Sequence, residues 1–321
     1  MNTISLLIGV EIMIEIDLFI TAIFFHVDNF CRENPLPLRP GPNPSLNGSE
    51  AITLFIFSQW SRFRSERDFY RFADTQLRDV FPGLPSREQL NRQWRSLHDR
   101  VCVFFSYMAD LLEADKALYE VLDATAVVTR SSKRRGNGWL FHQSDIGHSN
   151  RLGWYEGLKL LLSTTPEGII TGFGMAPASE KEQPMAETFF YLRTHPDQRI
   201  ASIGRTRSAQ YYPADKGFEG RENQARWKKE YGACIIYAPK RNSKKPWPKE
   251  LRRWLASKRQ IVETVFGKLI HTFRLDVERP HHIQGVRVRL AAKVALHNFC
   301  IWMNRQLGRP NLAFADLLGW S

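Results

Sequence analysis

Cysteine is scarce in this chain: Cys31, Cys102, Cys234 and Cys300 are four in 321 residues, and none forms a Cys-x-x-Cys pair. That excludes a zinc ribbon and the dense disulfide framework of a small secreted domain, leaving reduced, buried thiols as the expectation. No apolar run is long enough to span a bilayer without interruption. Residues 1 to 25 come nearest, but Glu11, Glu15 and Asp17 break them, each at about 2.5 to 3.5 kcal/mol in hydrocarbon. No basic segment precedes this stretch, which argues against a secretory leader. The expectation is a buried helix in a cytoplasmic protein with no membrane partner, and Met13 is an alternative start. Internal repeats and long low-complexity tracts are lacking as well, which excludes a solenoid or a disordered chain.

Acidic residues are the other deficit. Lys and Arg outnumber Asp and Glu by 45 to 33, for a formal charge of +12. Such a balance favours polyanionic partners, nucleic acid first, against the plainer reading of a solubilising surface. Hydrophobic residues at 43% and charged residues at 24% describe a globular chain with apolar surface enough to offset the entropy of ordering.

The periodicity of the first third is helical. Ile12 to Arg32 reads as a helix, broken by the Pro-, Asn-, Gly- and Ser-rich segment Asn34 to Ser49. Ser49 to Asp74 and Ser86 to Leu112 read as two further helices, the second opened by a capping box of Ser86 and Gln89. The predicted division is 1–48 (helix and linker), 49–114 (a helical module for DNA binding or dimerisation) and 115–321 (an α/β domain). From residue 119 the pattern turns to β-branched and apolar runs: Tyr119 to Val128, Gly157 to Ser163 and Gly168 to Met175, with Thr165-Pro-Glu-Gly168 as a turn. Short strands at Gln210 to Ala214 and Ala233 to Pro239 alternate with helices at Pro184 to Thr194 and Glu219 to Tyr231. Helices at Lys249 to Phe273 and Val286 to Leu307 complete a β-β-β-α-β-α-β order.

Three carboxylates stand out against this frame. Asp123 interrupts an apolar strand, where an uncompensated charge is expensive and calls for a cation. Asp215 closes another strand, just before Gly217. Glu263 lies at the margin of the apolar stripe Val262, Val265, Phe266, Leu269 and Phe273, with Arg259 one turn earlier. Singly, each fits a cap or a surface ion pair equally well.

Together the blocks Leu122-Asp-Ala-Thr125, Gly157-Leu-Lys-Leu160, Ala214-Asp-Lys-Gly-Phe218 and Arg259-Gln-Ile-Val-Glu-Thr-Val-Phe266 resemble the signature of insertion-sequence transposases with an RNase H-like DDE domain. The resemblance spans residues 115 to 303. Phe81-Pro-Gly-Leu84 and the following helix resemble the N-terminal region of such proteins. Two positions depart from that pattern: Ile270 stands where a Lys is common two turns after the Glu, and Ala256 where an aromatic residue precedes Arg259. Arg274, three turns past Glu263, is the candidate substitute.

The resemblance implies an α/β fold, a mixed five-stranded RNase H-like sheet flanked by helices and preceded by an all-helical domain. It implies that Asp123, Asp215 and Glu263 are catalytic and hold two Mg²⁺ ions (or Mn²⁺), whose charge relieves the repulsion of three converging carboxylates. The implied chemistry is cleavage at transposon ends, the terminal inverted repeats, followed by strand transfer into target DNA by a homodimer associated with the nucleoid. Candidate DNA contacts are Arg130, Lys133, Arg134 and Arg135 after the first strand, Lys159 and Lys216. Lys240, Arg241, Lys244, Lys245 and Arg259 supply a second basic cluster, with Arg274 beyond it. Two competing functions use the same residues: a metal-dependent nuclease that cuts without joining, and a silent DNA-binding relic. A solvated basic face is the plain alternative for either cluster.

Overall fold

The computed structural model describes residues 13–35, 43–131, 133, 138, 140, 142–195, 210–239, 243, 245–277 and 281–320. Five helices come first: α1 (Ile16–Glu33), α2 (Gly48–Phe57), α3 (Glu66–Gln76), α4 (Arg87–Ser96) and α5 (His98–Leu111). Two of the expected helices are thus each divided. Ser58 ends α2 by donating its hydroxyl to the Phe55 carbonyl, and Ser65 starts α3 by accepting from the Asp68 amide at 3.1 Å. Such short side chains satisfy helix-end groups that no helical neighbour can reach. The second break falls at Leu97, whose amide is shared between the Gln93 and Trp94 carbonyls. The capping box of Ser86 and Gln89 forms as read from the sequence.

The chain then enters an α/β region: β1 (Val121–Arg130), β2 (Asp145–Ser149), β3 (Gly153–Thr164), β4 (Ile170–Pro177), α6 (Glu182–Thr194), β5 (Tyr211–Pro213), α7 (Arg221–Tyr231), β6 (Cys234–Ile236), α8 (Lys249–His271) and α9 (Ile283–Gln306). Strand β2 is an addition to the sequence expectation. Strand β3 pairs antiparallel with β1 along one edge, while β2 and β4 share the other end to end. The turn Thr165-Pro-Glu-Gly168 joins β3 to β4, with Gly168 at φ +86°, a conformation nearly free of cost only for glycine. Strands β5 and β6 form a separate parallel pair. Isolated bridges from Tyr119 to Tyr211 and from Leu122 to Ala214 lay that pair along the start of β1. The architecture is mixed α/β, with a four-stranded antiparallel sheet and a two-stranded parallel one where a single five-stranded sheet was expected.

Strand alternation sorts β1 between two cores. Val121 and Val127 join the larger cluster with α8 and α9, while Leu122 packs with Met185, Phe189 and Phe190 of α6, Tyr212 and Trp227. Asp123 shares the parity of Val121 and so faces α8. The larger cluster also takes in α1, α2 and α5, so the N-terminal helices and the sheet share one buried mass. Its centre is α9, buried on every side from Leu290 to Ile301, as befits a helix enclosed by others. Two of its buried polar residues fasten it to its neighbours. Asn298 bonds both the amide and the carbonyl of Ile170, at 3.0 and 2.9 Å, as a neighbouring strand would. Lys293 reaches Gln59 and the Phe273 carbonyl.

One buried ion pair ties the two sheets together. Arg193 of α6, with no exposed side-chain surface, donates to Glu120 at 2.6 Å, to Tyr212 and to Thr171. Ser163 of β3 donates to the same Glu120 carboxylate. Three separate segments therefore converge on one guanidinium and a fourth on its carboxylate partner, so the buried charge is paired and hydrogen-bonded through both terminal nitrogens.

Candidate active site

Asp123 and Asp215 come together because the Leu122–Ala214 bridge sets the end of β5 against β1, one residue before each carboxylate. Asp123 is largely buried, with 13% of its side chain exposed, whereas Asp215 is open at 52%. The charge that Asp123 required arrives from α8. Arg259 donates Nη2 to Asp123 Oδ2 at 2.8 Å and Nη1 to Asp215 Oδ1 at 3.3 Å, so one guanidinium joins both carboxylates. The Ala124 amide also donates to Asp123 Oδ1 at 2.8 Å.

The electrostatics follow from this geometry. Burial pushes the Asp123 carboxyl above the usual range, opposed by Arg259 and the Ala124 amide and reinforced by the charge of Asp215. Burial alone would lower the Arg259 pKa, but Asp123, Asp215 and Glu263 raise it overall, so the guanidinium stays charged. Glu263, exposed one turn beyond Arg259 on α8, acts on it through charge. Among the described residues, no three His, Cys, Asp or Glu side chains are grouped so as to hold a metal ion as they stand. Arg259 lies between the two aspartates where such a group would close.

A fourth carboxylate belongs to this neighbourhood and was missed in the sequence. Glu182 opens α6 and lays its carboxylate against Gly217, where a Cβ would have to displace it. Burial raises the Glu182 pKa; Lys159 and Arg259 oppose the shift, while Asp123 and Asp215 add to it. The one available signal was Gly217 itself, read in the sequence as a release for the backbone rather than as the seat of a neighbour.

The basic candidates divide. Lys216 is exposed in the turn after Asp215. Lys159, on the α6 face of β3, donates to the Glu180 carbonyl. Arg130 is paired with Glu156 at 3.7 Å at the end of β1, and Lys133 and Lys245 are exposed. Arg134, Arg135, Lys240, Arg241 and Lys244 lie outside the described residues. Arg274 follows the end of α8 with φ +58°. Ile270, at the departing position, is buried in the larger core, where a Lys would lose its solvation.

A family model described as Transposase DDE domain matches residues 121–299, from the first residue of β1 into α9. The chain belongs to this family. The match begins two residues before Asp123 and takes in Asp215, Arg259 and Glu263, so the DDE domain comprises both sheets and every element that carries the carboxylates. No curated protein and no solved structure matches the chain. Among the described residues, no helix is long and apolar enough to cross a membrane.

Proposed function

We propose that this chain is a DNA transposase that cleaves transposon ends and transfers the freed strand into target DNA, using Asp123, Asp215 and Glu263 as its catalytic carboxylates. The observation that carries the proposal is the convergence of Asp123 and Asp215 on one cation inside a transposase DDE domain. Both β-sheets together then serve as one RNase H-like platform. Residues 115–321 are the catalytic domain, and the helices within 49–114 bind DNA or pair two copies on it.

The donor set suits hard divalent ions: all three side chains offer oxygen, and the site already holds positive charge between two of them. Asp123, Asp215 and Glu263 would hold two Mg²⁺ or Mn²⁺ ions, which supply Lewis acidity and charge neutralisation to phosphoryl transfer. What the protein contributes is placement. Burial on the sheet fixes Asp123, which limits how far a bound phosphodiester can shift from in-line geometry. Arg259, once turned out from between the aspartates, is within reach of the non-bridging oxygens of that phosphate, where a guanidinium pairs in bidentate fashion. Lys216 and Lys159 add charge at the rim.

The test uses the parent protein and Asp123→Ala, Asp215→Ala and Glu263→Ala variants on DNA carrying the flanking inverted repeats, with Mg²⁺ or Mn²⁺. Nicking and joining by the parent, lost in all three variants, is the expected result. Cutting without joining would instead identify a nuclease, and binding without cutting would identify a silent relic.

A further inference from the structure

Three adjoining hollows of about 600, 270 and 300 Å³ lie away from the carboxylates, where α3 and α4 meet the end of α8 and the start of α9. All three share Glu66, and two of them share Arg289 and Trp94, so they form one groove. Among the described residues its walls carry Arg64, Arg87, Arg92, Arg95, Arg274 and Arg289, against two acids, Glu66 and Glu88. Those acids are already engaged within the groove. Glu88 pairs with Arg87 at 2.8 Å, while Glu66 accepts from Asn91 at 2.7 Å and faces Arg289 at 3.9 Å. The local field is therefore strongly positive.

Arg274 adds an observation of a different kind. Its φ of +58° is a conformation that favours glycine and costs a larger residue about 1 kcal/mol or more. An arginine held there projects its charge from a turn that a glycine would make more easily. The helix start of α9, without a side-chain cap, opens into the same groove, and a helix N-terminus reinforces attraction for anions.

We infer that this groove grips the sugar-phosphate backbone of the DNA duplex being processed, at a fixed distance from the carboxylates. The inference rests on the function proposed above for its geometry. Glu263 lies on α8, and Arg274 stands just past the C-terminal end of that same helix, so one rigid element separates the groove from the carboxylate. A duplex whose scissile phosphate sits at Asp123 and that runs along α8 meets the groove at a set number of nucleotides from the cut. The contacts go to phosphates and carry no sequence information of their own. They set register, so that the cut falls at a defined spacing from duplex held elsewhere.

The experiment measures binding of a fluorescein-labelled random-sequence duplex across a salt series, for the parent and for an Arg92→Ala/Arg95→Ala variant. An Arg92→Lys/Arg95→Lys variant and thermal melts of each serve as folding controls. The alanine variant should weaken binding and lower the slope of log K against log salt by about 2, since each phosphate contact contributes about 0.9. The lysine variant should keep most of that slope. On DNA carrying the flanking inverted repeats, methylphosphonates stepped along one strand should weaken binding of the parent at a defined set of positions, and the alanine variant should lose that interference. An unchanged slope in a folded alanine variant, or the same interference pattern in both proteins, overturns the inference. The two proposals fail separately. A parent that binds with a groove-dependent slope yet never cuts would remove the transposase reading alone, whereas cutting that is indifferent to the groove variants would remove the groove alone.

Discussion

Arg259 and Asp123 form a charge pair in which the helix residue supplies what the strand residue lacks: 2.8 Å separates the guanidinium from a carboxylate with little access to water. The same guanidinium reaches Asp215 at 3.3 Å. On the proposed function a metal ion and the arginine would compete for one position, and that competition can be measured without DNA. In the absence of divalent ions, Arg259→Gln leaves Asp123 with the Ala124 amide as its remaining neighbour. Removing one partner of a buried pair typically costs about 3 kcal/mol. The variant should melt well below the parent in chelator and recover more of its Tm than the parent gains when Mg²⁺ is added. Equal responses to Mg²⁺ in the two proteins would refute the competition.

His297 supplies a pH dependence. Its Nε2 lies 2.9 Å from the Gly168 carbonyl, to which it can only donate, while Nδ1 has no partner in the core. Burial holds the imidazole neutral, with the pKa lowered to about 4. The unfolded chain binds a proton near pH 6.5, so between about 6.5 and 4 it holds more protons than the folded chain. Stability then rises with pH across this window and is lost as pH falls, by about 1.4 kcal/mol per unit and about 3 kcal/mol in all. Urea unfolding of the parent and of His297→Gln at pH 7.5 and pH 5 isolates the effect, because the glutamine cannot titrate. If both proteins lose equal stability on acidification, the histidine is not responsible.

Gly157 and Gly267 make opposite predictions. A Cβ at Gly157, on β3, would stand 2.1 Å from the Val127 carbonyl oxygen of β1, a backbone atom that cannot turn aside. Gly157→Ala should cost about 2 to 4 kcal/mol through overpacking at the centre of the sheet. Gly267, within α8, has open space around it. Gly267→Ala should gain about 0.5 to 1 kcal/mol from helix propensity. Thermal melts that moved in the same direction for both would contradict this reading of the two sites.

Much of this could be read from the residues. Asp123 was legible because a carboxylate in an apolar strand demands a cation, and the structure supplies Arg259. The strands β1, β3 and β4 and the turn at Gly168 followed from alternation and turn chemistry. Strand β2 was not legible, because Asp145-Ile-Gly-His-Ser149 carries almost no apolar signal and pairs through its backbone. The breaks at Ser58 and Leu97 were hidden because the apolar residues continue across them, with the chain turning only where local hydrogen bonds change partner. Glu182 escaped because its environment is built by β5 and α6 together, which no local window contains. The groove on α3, α4 and α9 is likewise a product of tertiary placement: its arginines come from four separate stretches of sequence.

One small contact has a temporal meaning. Ile14 pairs with Leu318 in a parallel bridge, its amide bonding the Leu317 carbonyl and its carbonyl accepting from Gly319. Residues almost at opposite ends of the numbering thus clasp beside the aromatic cluster of Phe57, Trp60, Phe63 and Trp320. Contacts of such wide sequence separation form late, since the intervening chain must be ordered first. On the ribosome, this latch cannot close until residues 317 to 319 have emerged. A chain that stopped short of Leu317 would lack both the partner of Ile14 and Trp320 of the aromatic cluster, leaving its helical layer ajar and its apolar surface open to proteolysis.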